Sequence, residues 1–339
     1  MNEYEDIRLL VESFYDQQEV RKESANRIRT IIRNRLEKAD FRVPESSKDD
    51  KDQGKWTDNN MKIWIKLARS QDKISDDDEK YLNKLLDLKH KMAEFEKEYK
   101  SQLLQEVRKE PIFKDYLVKI WGAGELTAAN LIAFIGYCGE FETVSKLWRY
   151  AGLGMRPICK NCNKYIFDNE KQRLDWIKRH EARASKDKKD FSKYTCTCSE
   201  PQRIEVVQRR VKGLPIDYNP KLKTYMYRWM SSVIKAGYKV MEDGKKRPGG
   251  YRRYYDQFKK KYREVHPKEI DNPRYLATKQ GTKKKYTDGH INTMTMRKVE
   301  KMFLQHYWMT ARQMKGLPTR KPYPMDHGHT GYIEPFTDE

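Results

Sequence analysis

Apolar residues recur every three or four positions along most of this chain, the pattern of helices with one buried stripe. Ile7, Leu10, Val11, Phe14 and Tyr15, then Ile28, Ile31, Ile32 and Leu36, predict a helix over residues 3–39. The run ADFRVPESSKDDKDQGKW breaks the pattern with Pro44, a serine pair and mixed charges, and reads as a linker near 40–57. A helix resumes over 58–70. Ser75 followed by acids is an N-cap signal. Beyond it, Leu82, Leu85, Leu86, Leu88, Met92, Phe95, Tyr99, Leu103 and Leu104 form one stripe. The helix they predict, 76–108, is coiled-coil-like and suggests a scaffold and a homodimer.

Pro111 starts a new pattern. A helix over 112–121, a Gly122-Ala123-Gly124 turn and a small-residue helix over 127–138 together read as a helix-hairpin-helix. A short helix over 143–152 follows, helix returns over 204–240, and a last helix spans 290–315 with Met296, Val299, Phe303, Tyr307 and Met314 inside. Residues 241–286 are basic and irregular, except that Tyr251, Tyr255, Phe258 and Tyr262 share one helical face. The tail, rich in Pro, His and Gly, is expected to dock. The predicted fold is therefore mainly α, a helical bundle with a helix-hairpin-helix core. Four segments result: a helical region at 1–110, a hairpin domain at 111–157, a cysteine module at 158–200 and a basic helical domain at 201–339.

Composition changes this picture in one respect. Charged residues make up 36% of the chain, yet aromatics reach 12%, more than a disordered chain carries. The net charge of +21 is not spread evenly: residues 151–300 sum to +21, residues 1–150 to −1 and residues 301–339 to +1. Charge confined to one block points to a polyanionic partner. No stretch has the apolar length to cross a bilayer, and the acidic start has no apolar core of a leader, so a cytoplasmic, nucleoid-associated protein without a membrane partner is expected.

Five cysteines are an odd number, and four of them cluster. Cys159 and Cys162 form C-x2-C, and Cys196 and Cys198 form C-x-C. Two such pairs bring four thiolates to one ion, and four sulfurs in tetrahedral array suit a structural zinc. A zinc-ribbon-like module of four cysteines follows, with a helix expected inside the interval around NEKQRLDWIKRH. The basic run after it either touches nucleic acid or is a solvated loop. His180 reads as a solvated helix residue and Cys138 as a core thiol.

Candidate phosphate ligands follow from these patterns. Gly122, Gly124 and Thr127 would present backbone amides at a helix start, where phosphate oxygens bind without base readout. The other reading is a plain glycine turn between two helices. Arg209, Arg210 and Lys212 lie in the basic stretch near the start of the 204–240 segment. Arg252, Arg253, Lys259, Lys260, Lys261 and Arg263 lie on the face opposite the tyrosines, and Lys283, Lys284 and Lys285 form a further basic run. Asp288, His290, Asp326, His327 and His329 are the residues to test for hidden catalysis.

The stretch WGAGELTAANLIAFIGYCGEFETVSKLWRYAGLGMRP resembles the C-terminal domain of DEDD-type insertion-sequence transposases that use a bridge RNA. Gly122, Gly124, Thr127, Ala128, Ile135, Gly136, Phe141, Leu147, Tyr150, Gly152 and Leu153 carry the likeness. Asn219 and Leu222 continue it in the later helix, so it covers about 112–156 and 205–240. It implies a DNA-handling domain. The family's RuvC-like nuclease domain has no counterpart in the helical pattern of 1–110. Its serine nucleophile has none either, because the cysteine module takes that loop's place. The expected protein binds duplex or branched DNA through the backbone in recombination, replication or element maintenance; whether it is also an enzyme stays open, with the reading leaning against it. A diverged metal-dependent recombinase or nuclease is the first alternative, and an RNA-binding partner in a ribonucleoprotein the second.

Overall fold

The computed structural model describes residues 4–37, 41, 56–181, 194–210, 216–240, 243–266, 286–320 and 332–338, without the side chains of 179–181. Lys212, Lys283, Lys284, Lys285, Asp326, His327, His329, the side chain of His180 and most of the segment read as a linker lie outside the described residues. The chain divides into two compact units, Met1–Glu106 and Val107–Glu339. Among the described residues the protein is mainly helical, with two short two-stranded sheets.

The first unit is built from α1 (Glu5–Arg35), α2 (Asp58–Ser70) and α3 (Asp76–Val107). The Thr57 hydroxyl caps α2 by accepting from the Asn60 amide, and Ser75 does the same for Asp78 at the start of α3. Ile28, Ile32 and Leu36 of α1 meet Met61, Trp64 and Ile65 of α2 and Leu82 and Leu85 of α3 in one core. Phe41 and Trp56, at the edges of the expected linker, meet Trp64 edge-to-face at 5.2 and 4.5 Å. Farther along, Arg21 and Gln18 of α1 bond Glu96 of α3. The α3 stripe is thus partly covered within the chain: Leu82, Leu85 and Leu103 are buried, while Leu88 and Phe95 stay exposed.

The second unit begins with α4 (Pro111–Asp115), a 3-10 turn (Leu117–Lys119) and α5 (Glu125–Ile135). Next come α6 (Val144–Tyr150), β1 (Met155–Cys159), α7 (Glu170–Glu181) and β2 (Arg203–Val207). It ends with α8 (Pro220–Ala236), β3 (Tyr238–Val240), β4 (Lys246–Pro248), α9 (Gly250–Val265) and α10 (Asp288–Met314). α10 is the central helix, with Phe303, Leu304, Tyr307 and Trp308 fully buried. Phe303 stacks on Trp229 of α8 at 3.9 Å, and Tyr251 of α9 meets both rings edge-on. Polar groups of α10 bond backbone carbonyls of the loop after α5: Tyr307 to Gly136, Trp308 to Phe141 and Arg312 to Cys138. Each bond satisfies a carbonyl that the burial would otherwise strand.

Two expectations are corrected. The helix read over 112–121 is a five-residue helix and a separate 3-10 turn, broken at Tyr116. There the ring turns inward and its hydroxyl shares a hydrogen bond with that of Tyr251. The helix read from 204 starts only at Pro220. Residues 203–207 instead pair antiparallel with β1, from Cys159 opposite Arg203 to Met155 opposite Val207. Val206 and Val207 suit that ladder, since branched side chains pack well on a pleated surface.

Candidate metal centre and cationic surface

The β1–β2 pair carries the cysteines. Cys159 ends β1, and the chain turns back at once, with the Asn163 amide donating to the Cys159 carbonyl at 2.8 Å and Asn163 in the left-handed region. Tyr165 then bridges toward Thr195, and the Cys196 amide donates to the Tyr165 carbonyl at 2.9 Å. Backbone pairing therefore brings the two cysteine pairs together although 33 residues separate Cys162 from Cys196. α7 lies in that interval and rests on the module through Trp176, which packs on Tyr165 and Phe167 at 5.1 and 5.5 Å. Arg156 hydrogen-bonds the Tyr165 hydroxyl and pairs with Asp217, tying the module to the start of α8.

All four sulfurs lie within 4.8 Å of one another, an arrangement that could hold a metal ion. Cys159 and Cys198 are 3.9 Å apart, Cys162 and Cys196 3.6 Å. Burial pushes the Cys159 thiol up, but N–H donation from Cys162 and Asn161 brings it down to about 6. The Cys198 thiol goes the other way, up to about 12, because the neighbouring sulfurs of Cys196 and Cys162 hold its proton. A cation at the centre would let such crowded sulfurs ionise together. Cys138 stands apart, fully buried in the core, where burial pushes its thiol up.

The two glycines of the 122–124 turn differ. Gly122 has φ +91°, and a Cβ there would sit 2.8 Å from the Val233 Cα. This glycine lets the turn lie directly on α8. Gly124 is the N-cap of α5 with an ordinary φ of −65° and open space where a Cβ would be. It is exposed, and Thr127 follows within the first turn, its amide bonded to the Gly124 carbonyl. The amide of Trp121 donates to the Asp338 carboxylate at 2.7 Å, and that carboxylate also accepts from Gly250 at the start of α9. An internal anion thus occupies the donors beside Gly122.

The predicted cations divide by environment. Arg253, Lys260, Lys261 and Arg263 are exposed on α9, whose Tyr251 and Tyr255 are buried on the opposite face. Arg263 lies 3.6 Å from Asp288. Arg252 is a structural tie: it pairs with Asp256, donates to the Ile234 carbonyl at 2.6 Å and lies over Tyr238. Lys259 donates to the Tyr255 hydroxyl at 2.9 Å. Arg209 and Arg210 are exposed just past β2. His290 lies beside Tyr286, and Asp288 and His290 both belong to the first turn of α10. His306 is satisfied on both nitrogens, by the Tyr251 hydroxyl and the Ile333 carbonyl, and burial pushes its pKa down to about 4. Residues 332–338 of the tail dock through that bond and through Phe336, which packs on Tyr251.

One site escaped the sequence reading. Glu300 of α10 is 6% exposed and lines a cavity of about 560 Å³ between the β1–β2 pair, α8 and α10. Burial pushes its carboxyl up to about 7, against the pull of Arg297 and Lys223. The signal was an acid set in the stripe of Met296, Val299 and Phe303. No helix among the described residues is long and apolar enough to cross a membrane. No protein-family model, no curated protein and no solved structure matches the chain.

Proposed function

We propose that this protein binds DNA through the phosphate backbone, with the four-cysteine module held by a structural zinc, and that it is a relative of the bridge-RNA transposases. The observation that carries the reading is the charge block of 151–300 together with its exposed cations on α9. Tyr251 and Tyr255 anchor that helix in the core, so Arg253, Lys260 and Lys261 are held outward on a rigid support. Such a face neutralises phosphates and reads no sequence. Arg209 and Arg210 add to it from the end of β2.

Zinc is supported by the sulfur spacing. A Zn–S bond of about 2.3 Å puts the corners of a tetrahedron about 3.8 Å apart. Two of the cross-pairs are 3.9 and 3.6 Å. With four thiolates no coordination position is left for water, so the role is structural. The transposase relation is supported by one joint in the fold. Asn219 caps α8 by accepting from Leu222 and donates to the Tyr150 hydroxyl, while a Cβ at Gly152 would sit 2.7 Å from Tyr218. The matched residues Tyr150, Gly152, Asn219 and Leu222 therefore act together.

The test is a titration of duplex, single-stranded and four-way-junction DNA with and without Mg²⁺ or Mn²⁺, each sample split between a native and a denaturing gel. Shifted, uncut DNA is expected. Changing Arg253, Lys260 and Lys261 together to Gln should lower the slope of log affinity against log salt by about 3, one per phosphate contact. Cut DNA would overturn the binding-protein reading, and an unchanged slope would remove α9 from the interface.

A further inference from the structure

The cavity lined by Glu300 shares only Arg209 with the backbone contacts just described. Its walls are mostly apolar, with Ile158 and Ile204 from the β1–β2 pair and Met294 from α10, and they also carry Lys223, His290 and Arg297. Tyr227 stands at its edge with 57% of its surface exposed, and the exposed Arg209 reaches it from the end of β2. Glu300 is the one acidic side chain of this lining that is buried. Among the described residues its carboxyl has no hydrogen-bond partner; Arg297 and Lys223 act on it only through their charge. Those two cations are engaged elsewhere. Arg297 donates to the carbonyls of Gly152 and Gly154, and Lys223 donates to the carbonyl of Gln208.

The Glu300 carboxyl is largely buried, and a ligand in the cavity could supply donors to it. The volume falls in the range of small-ligand sites and fits one nucleotide. Apolar side chains, an exposed aromatic ring and a buried carboxyl in one cavity suit a flat heterocycle. A carboxylate offers two acceptor oxygens side by side. Guanine is the base whose pairing edge presents two adjacent N–H donors, at N1 and N2. Cytosine and adenine present one amino group beside an acceptor, and thymine and uracil one N–H between two acceptors. The cationic Arg209 at the rim supplies the partner for a phosphate.

We propose that this cavity binds an unpaired guanine nucleotide, with Glu300 accepting from its pairing edge, Tyr227 stacking on the base and Arg209 meeting its phosphate. The proposal rests on the nucleic-acid reading above for its biological source, a strand with an extruded or single-stranded base. The site itself can be probed with a mononucleotide.

The experiment measures binding of GMP, AMP, CMP and TMP to the full chain by calorimetry. It is run at pH 8, above the value of about 7 to which burial raises Glu300, so that the carboxylate is the main form. GMP should bind at least about 10-fold tighter than the others, within the range of one bidentate base contact. Glu300→Gln keeps the shape, loses one acceptor and should remove that preference. Tyr227→Ala, at an exposed position that does not threaten folding, should weaken all four. A single-stranded oligonucleotide is titrated in parallel. Equal binding of all four nucleotides, or none, while the oligonucleotide still binds, overturns the guanine site and leaves the backbone reading standing. GMP preference without oligonucleotide binding supports the site and overturns the backbone reading. A GMP preference that survives in Glu300→Gln overturns the role of Glu300.

Discussion

At the scale of single residues, the clearest contrast is between Gly122 and Gly124. They look equivalent in the sequence and do different work. Gly122 combines φ +91° with backbone-to-backbone contact against Val233. Gly122→Ala should therefore cost about 2–4 kcal/mol, combining left-handed strain with overpacking. Gly124→Ala meets nothing within 4 Å and should cost under about 1 kcal/mol, the loss at an N-cap. Urea unfolding of both variants checks this; equal losses would contradict the packing role of Gly122. Glu300 makes the complementary point. Its charge within an apolar stripe was visible in the sequence, but its lack of a hydrogen-bond partner among the described residues was not.

At the scale of elements, α9 shows how a helix borrows what it lacks. Its own N-cap, Gly249, has no side chain to offer the first turn. Asp338 accepts from the Gly250 amide across 88 positions of sequence and also holds the Trp121 amide. An anion at a helix start is favourable. Asp338→Ala should cost about 1–2 kcal/mol and speed amide exchange in the first turn of α9 and at Trp121, read by hydrogen-exchange mass spectrometry. Unchanged exchange at both places would mean the carboxylate is replaceable by water. The amphipathic pattern of α9 was legible: four aromatic positions on one face predicted the buried side, and Tyr251 and Tyr255 occupy it. The segments that misled were short ones. Residues 203–207 have too few positions to separate strand from helix by periodicity alone, and β1 on the far side of the cysteine module decided the matter.

For the whole molecule, the metal centre and the charge block are the features of widest reach. Removing the proposed ion with a chelator should release four mutually close sulfurs and loosen the β1–β2 pair that the ion would cross-link. Amide exchange over 155–165 and 194–207 should rise, while α1–α3, whose core lies in the other unit, keep their protection. Loss of protection in α1–α3 to the same extent would contradict separate cores. The expected homodimer has less support at this scale, because Leu82, Leu85 and Leu103 of α3 are already covered within the chain.

The sequence by itself determined the helical class, the long helices with their caps, the four cysteines as a group and the placement of positive charge. These are local or additive properties: periodicity, a hydroxyl before a helix, ligand type and a sum of charges survive without knowing which segments meet. Tertiary structure alone decided which turn amides are taken by Asp338, which arginine is a tie and which is free to face a partner, and that an acid of α10 faces a cavity bounded by β1, β2 and α8. Each of these depends on residues far apart in the chain arriving at one place, and a pattern read along the chain holds no term for that distance.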